Sequence, residues 1–321
     1  MPVTRFFPLV VVLASLAPRL QAQGLPTYTP LNPVADSRTG LAFEPLRPPD
    51  LGRWTAELAL DYASTIERWE KPDAGYLLDS ETMRLRLRLA RDLSSRVFAQ
   101  ADVAVGGAYP GFMDGFLDWY HGLIGIRIPE REHRPRNTFE YHIRLPDGHV
   151  VDREPRDLFL RDLRLGLGLR HGRHLQTIAS VTLPTSTAGE GYGRGTVAVG
   201  LVTTARYTLA PPLVYEGSLG LGYTPRHGEL SPFQRTGFAS ASSGLRFRFW
   251  GHQSIFANVF YHSPYYEDTR IRSLDRRELS LDFGWLLATR SRTEWRVGLT
   301  EDLEPGGPGV DLVFRLGVVK Y

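Results

Sequence analysis

Between Glu81 and Arg91 the chain alternates with a period of two. Met83, Leu85, Leu87 and Leu89 fall on one face, and Thr82, Arg84, Arg86 and Arg88 fall on the other. Successive side chains of a strand point to opposite faces, so this segment is a strand with one apolar wall and one arginine-bearing wall. The pattern returns at Leu163, Leu165, Leu167 and Leu169, opposed by Arg164, Gly166, Gly168 and Arg170. It returns again at Leu245, Phe247 and Phe249 against Arg246 and Arg248, and at Leu279, Leu281, Phe283, Trp285 and Leu287 against Ser280, Asp282 and Gly284.

About twelve such segments are predicted, near 52–66, 81–92, 96–107, 158–170, 175–186, 196–210, 213–225, 236–250, 254–266, 277–290, 293–302 and 310–321. Most exceed the roughly 9–11 residues that a tilted membrane strand needs. The connections carry the stronger constraint. Short ones fall near 92–95, 171–174, 211–212, 251–253 and 291–292; longer ones fall near 67–80, 108–157, 187–195, 226–235, 267–276 and 303–309. Strict alternation of short and long connections with an even strand number is the signature of a transmembrane antiparallel β-barrel with short inner turns and long outer loops. A soluble β-sandwich would alternate along its strands without needing that rhythm. Trp54, Tyr62, Tyr207, Tyr215, Tyr223 and Tyr261 stand near strand ends, where interfacial girdles form.

Both ends fit an exported chain. Arg5 precedes an apolar run from Phe6 to Leu16, too short to span a bilayer as a helix, and Leu20-Gln21-Ala22 offers a cleavage site. Residues 1–22 are therefore expected to be a signal peptide. Residues 52–321 form the expected barrel of a Gram-negative outer membrane, in contact with its lipid. The last residue, Tyr321, resembles the terminal aromatic read by the barrel-assembly machinery, although it shares parity with Arg315, so that either a bulge joins it to Leu316 and Val318 on the apolar face or it lies beyond the membrane band. Residues 23–51 are rich in proline and turn formers and show no strand period. The expectation is a flexible tail or a partial plug, with the tail the plainer reading of such composition.

The chain has no cysteine, which excludes a lipoprotein anchor, disulfides and a thiolate metal site. Its charge is mixed in sign with a net of +3, so nucleic acid is not an expected partner. No motif implies a cofactor.

Several local sequences point further. They are Asn32-Pro33, Leu78-Asp79-Ser80-Glu81-Thr82 with Arg84, Gly111-Phe112-Met113-Asp114, Trp119 with His121, Arg134-Pro135-Arg136-Asn137 and Leu183-Pro184-Thr185. Their order and spacing resemble the family called domain of unknown function 3187, outer-membrane proteins of proteobacteria. The resemblance is strongest between Leu78 and Asn137. It implies location and architecture, and no activity.

Charged side chains cannot face lipid cheaply, since Arg or Lys at the midplane costs roughly 2–4 kcal/mol. Arg84, Arg86, Arg88, Arg164, Arg246 and Arg248 are thus assigned to the lumen, with Glu57, Asp61, Asp102, Glu216, Asp282 and Glu294 beside them. Guanidiniums bind carboxylate and phosphate bidentately, so one reading is a narrow channel or binding barrel for a small polar, anionic solute. The other is a sealed barrel with paired charges. Twelve strands lie between the filled 8-stranded barrel and the open 16-stranded porin, so strand number does not decide. In the long connection 108–157, residues 111–128 have the spacing of an amphipathic helix, and 139–143 begin a small hairpin closing through Pro146-Asp147-Gly148. Asp114, Asp118, Trp119, His121, Arg134 and Arg136 are expected to position this loop, either as a restriction of the pore or as an outer cap packed on the rim for stability. An outer-leaflet lipid or ester hydrolase is the alternative from another class, but no G-x-S-x-G or H-E-x-x-H motif occurs.

Overall fold

The computed structural model describes residues 24–125, 131, 134–304 and 306–321. The expected signal peptide and cleavage site lie outside these residues. After a one-turn helix α1 (Pro33–Asp36), the strands β1 (Trp54–Lys71), β2 (Ala74–Asp92) and β3 (Val97–Tyr109) lead to helix α2 (Asp114–Ile124). Next come β4 (Glu140–Arg144), β5 (Val150–Asp152), β6 (Arg156–Leu160), β7 (Leu163–Arg170), β8 (Leu175–Leu183), β9 (Ala198–Ala210) and β10 (Leu213–Tyr223). The chain ends with β11 (Gly237–Trp250), β12 (Gln253–His262), β13 (Glu278–Ala288), β14 (Thr293–Asp302) and β15 (Leu312–Lys320).

Each wall strand pairs antiparallel with its neighbours, and β1 pairs with β15 from Ala56↔Lys320 to Ser64↔Leu312, which closes the ring. β6 and β7 act as one wall strand: both pair with β3, and the register slips between them around Arg161-Asp162. The result is a closed barrel of twelve strands. The exterior exposes Leu58, Leu85, Leu87, Leu89, Leu167, Leu201, Leu219, Leu221, Val297 and Leu316. A continuous apolar belt of this kind belongs against hydrocarbon. Exposed Trp54, Tyr207, Trp250 and Trp295 edge the belt at the end that carries the short turns, here termed the near end. The fold is a transmembrane β-barrel.

Three expectations change. First, 67–80 is not a loop. β1 and β2 run on through it as a hairpin, paired from Ser64↔Glu81 to Lys71↔Ala74 and turning only at Pro72-Asp73. β4 joins the free edge of this extension, Tyr141 opposite Leu78, and β5 pairs with β4 as the predicted small hairpin. Second, no bulge moves Tyr321 outward. The β15 register is continuous, and Tyr321 lines the lumen beside Glu57 and Arg296.

Third, residues 24–50 are not a free tail. Leu25, Tyr28, Val34, Ala35, Leu41 and Phe43 are buried. The segment enters at the near end beside Glu216 and Arg246, and turns at the far end through α1, where Asn32 caps the helix and Pro33 starts it. It returns past Arg88 to the near end at Asp50, with Tyr28 and Phe43 bridged to each other by two backbone hydrogen bonds. A re-entrant loop of the chain's own N-terminal segment therefore fills the bore.

Candidate functional site

The predicted lumen arginines face inward, and the structure gives most of them partners. Arg84 bonds Asp61 (2.8 Å), Asp61 also takes Arg315 (2.7 Å), and Arg315 reaches Asp282 (2.8 Å). A second chain runs Arg86–Glu57 (3.1 Å), Glu57–Arg296 (3.4 Å), Arg296–Glu294 (2.9 Å) and Glu294–Arg246 (3.1 Å). Arg88 lies between Asp102 (2.6 Å) and Glu44 (2.7 Å), and Glu44 also pairs with Arg164. Arg248 is half-buried at the near end of β11, and its backbone N–H donates to the Pro212 carbonyl (2.7 Å).

The re-entrant segment is stitched into this network largely through its backbone. Arg84 donates to the carbonyls of Pro30 (3.2 Å) and Thr29 (3.4 Å), Arg246 to Gly24 (3.2 Å), Arg170 to Arg47 (2.8 Å) and Thr204 to Glu44 (2.6 Å). Glu216 accepts the N–H groups of Leu25 (2.9 Å) and Leu46 (2.5 Å). At the far end Arg38 donates to three carbonyls of the loop between β10 and β11, Pro225, Thr224 and Arg235, and Thr39 meets His262 at 2.8 Å. A segment without sheet pairing has its backbone groups satisfied by wall side chains, which a buried polar chain requires.

Between segment and wall, near the β6–β7 slip, lies a cavity of about 80 Å³. Arg84, Arg86, Arg88, Arg161, Arg164 and Arg194 line it, facing Asp36, Asp102 and Asp162. Their partners Asp61, Glu57 and Glu44 do not line it. Nε and Nη1 of Arg86, Nε of Arg164 and Oδ2 of Asp102 are buried with no hydrogen-bond partner among the described residues. The cavity is thus lined by six arginines against three aspartates, and two of those arginines, Arg86 and Arg164, carry guanidinium nitrogens without a hydrogen-bond partner among the described residues.

Among its described residues, the predicted restricting loop divides: its helix stays out of the lumen, while Tyr141, Ile143, Leu145 and Val151 of the β4–β5 hairpin cluster with Val34 and Ala35 of the N-terminal segment as a cap over the far end. α2 lies on the outside of the wall: Met113 and Leu117 pack on Leu312, with Tyr62, Leu299 and Phe314 around them. Asp114 pairs with Arg131 (2.5 Å) and accepts the Asn137 N–H, and Asp118 pairs with Arg136 (2.7 Å). Arg134 holds Asp79 (2.8 Å) and Glu140 (2.9 Å), while Trp119 is exposed. His121 is buried, and its Nδ1 meets no partner among the described residues. Burial, and then the Arg131 guanidinium, hold its pKa below the ordinary value. Among the described residues no group of three metal-binding side chains occurs.

Sequence reasoning placed the wall arginines and missed the ligands that the N-terminal segment contributes, chiefly Glu44, Arg38 and Thr39. Asn32-Pro33 was the available signal, since an N-cap followed by a proline announces a helix start inside a segment otherwise read as flexible.

The fold and the filled lumen define a transmembrane β-barrel closed by its own N-terminal segment. The chain belongs to the family described as protein of unknown function (DUF3187), whose model covers residues 7–320. Among solved structures it is similar to the COG4313 outer membrane channel from Pseudomonas putida F1. That match has a TM-score of 0.55 and 13% identity, covering 84% of this chain and 96% of that one. The NanC porin is a weaker likeness, with a TM-score of 0.46 and 6% identity over 84% of this chain and 100% of the other. At such identities the likeness is one of fold. No curated protein matches the chain.

Proposed function

We propose that the protein is an outer-membrane channel or binding barrel for a small, polar, anionic solute, exported by a signal peptide cleaved near Ala22 and closed at rest by residues 24–50. The observation that carries the reading is the arginine-lined cavity with its unpartnered guanidinium donors. A buried donor left without a partner costs about 1–3 kcal/mol. A carboxylate or phosphate entering the cavity would meet a lining in which arginines outnumber carboxylates, and such groups suit the planar guanidinium fork. The similarity in fold to a channel is consistent with passage and does not name the solute.

A second reading, a sealed structural barrel, draws on the extent of charge pairing in the lumen. One recording separates the two. The refolded chain and a variant lacking residues 24–50 are compared in planar bilayers. The intact chain is expected to conduct rarely, and the shortened one steadily and with anion selectivity. In the shortened background, Arg86→Glu with Arg88→Glu should abolish or reverse that selectivity. A shortened barrel that folds and stays silent, or that prefers cations, would overturn the channel reading.

A further inference from the structure

Helix α2 has two apolar faces; the barrel covers one, and of the other it touches only the edges of Phe112 and Phe116, whose rings lie 5.3 and 5.4 Å from those of Tyr62 and Phe314. Met113 and Leu117 turn to the wall, where Tyr62, Leu299, Leu312 and Phe314 receive them. Phe116, Trp119 and Leu123 are exposed by 41%, 61% and 69%, and Phe112, just before the helix, by 71%. The four occur at i, i+4, i+7 and i+11, a single stripe on an α-helix. Acidic groups keep to another side: Asp114 and Asp118 are held by Arg131 and Arg136.

The height of the stripe identifies what covers it. The receiving residues Leu299 and Phe314 stand opposite each other on β14 and β15. On the same outward faces, two residues toward the near end, lie Val297 and Leu316, part of the exposed belt. Leu299 is four residues from Trp295, which edges that belt, so it stands about 13 Å along the strand at ~3.3 Å per residue. The apolar band of such barrels is about 25 Å tall. With the usual strand tilt of roughly 35–45° that is a height of about 10 Å, and Leu312, two residues beyond Phe314, stands about 5 Å higher, so the helix is seated from near the middle of the lipid-facing wall upward and its exposed stripe faces the acyl chains.

We infer that α2 is an interfacial helix whose Phe112, Phe116, Trp119 and Leu123 insert among the lipid acyl chains bordering the barrel. An aromatic stripe at the boundary between acyl chains and headgroups is how amphipathic helices lie in a membrane surface. Glu81 fixes the helix in place. Its carboxylate accepts the N–H groups of Phe112 (3.0 Å) and Met113 (2.5 Å) and the Tyr62 hydroxyl (2.5 Å). Gly111, with φ at +75°, lets the chain pass against it, since a Cβ there would lie 1.9 Å from Glu81 Cδ. The function of the lumen plays no part in this inference.

Because the chain has no cysteine, single sites can be labelled without ambiguity. Trp119→Cys, Leu123→Cys and, as a solvent control, Asp147→Cys at the exposed turn between β4 and β5 are labelled with an environment-sensitive fluorophore. Each full-length variant is refolded into phosphatidylcholine vesicles and checked for the heat-modifiable mobility of a folded barrel. Labels at 119 and 123 are expected to emit to the blue of the label at 147 and to be quenched several-fold more by lipids spin-labelled on their acyl chains. That contrast should not change as the lipid-to-protein ratio is raised. Labels at 119 and 123 that match the control in emission and quenching would overturn the inference. So would a blue shift without lipid quenching that fades on dilution in lipid, which would assign the stripe to a second copy of the chain. Either labelled position suffices if the other variant fails to fold.

Discussion

Asp61 is the residue on which the lumen network turns. It accepts from Arg84 on one side and Arg315 on the other, at 2.8 and 2.7 Å, and is wholly buried. Removing one partner of a buried ion pair leaves an uncompensated charge, which costs far more than the pair itself contributes. Asp61→Asn is therefore expected to lose roughly 3–5 kcal/mol of stability, measured as a shift of the urea midpoint of the refolded barrel. Arg248→Gln, at a half-buried site on the near end, should stay within about 0.5 kcal/mol. Equal effects would mean that the network is no more than a solvated lining. The direction of these side chains was legible from parity alone, because lipid enforces it. Their pairing was not. Asp61 and Arg84 are direct cross-strand partners, but Glu44 reaches Arg88 and Arg164 from a segment whose sequence carries no period.

At the level of elements, the docking of α2 depends on one carboxylate and one imidazole. Glu81→Gln keeps the shape and removes the charge from three accepted hydrogen bonds, each stronger for that charge by the usual preference for ionised acceptors. Amide exchange over residues 112–121 is expected to speed up at least tenfold while exchange in β7–β11 is unchanged. His121 adds a pH dependence. Its pKa is lowered in the folded chain by burial and by Arg131, so the undocked loop binds the proton more readily. Docking should hold full strength above about pH 6.5 and weaken as the pH falls below it, and His121→Gln should flatten that profile. A pH-independent exchange rate in the parent chain would count against it. The spacing of Phe112, Phe116, Trp119 and Leu123 announced this helix but not its side. The same periodicity suits a helix packed on a wall or dropped into a pore, and only the outward parity of Tyr62, Leu299 and Phe314 separates them. The β1–β2 extension was hidden for a related reason. Beyond the belt no lipid faces the strand, so Glu67, Arg68, Glu70 and Lys71 follow no enforced alternation and read as loop.

For the whole molecule the question is whether the N-terminal segment is a fixed core or a gate. Its contacts are of two kinds. Leu25, Tyr28 and Phe43 join an apolar cluster with Phe256, Phe260 and Leu286, which resists withdrawal, while backbone groups of Gly24, Leu25 and Pro30 are held by arginine and carboxylate bonds that water or a charged solute can replace. A covalent tether tests which kind governs. A Cβ built on Gly40 lies 3.2 Å from Ala198 Cβ, near the range that a disulfide spans, and no other cysteine competes. Gly40→Cys with Ala198→Cys joins the returning arm of the segment to β9 without touching a charge. If the segment moves to admit solute, the oxidised double variant is expected to be silent in planar bilayers, and a reductant should restore the parent's openings in the same membrane. Openings that are equal before and after reduction would locate the conducting path beside a segment that stays in place, along the arginine-lined cavity next to the β6–β7 slip. The staple therefore separates a gate from a fixed lining even if the parent conducts only rarely, because each membrane serves as its own control.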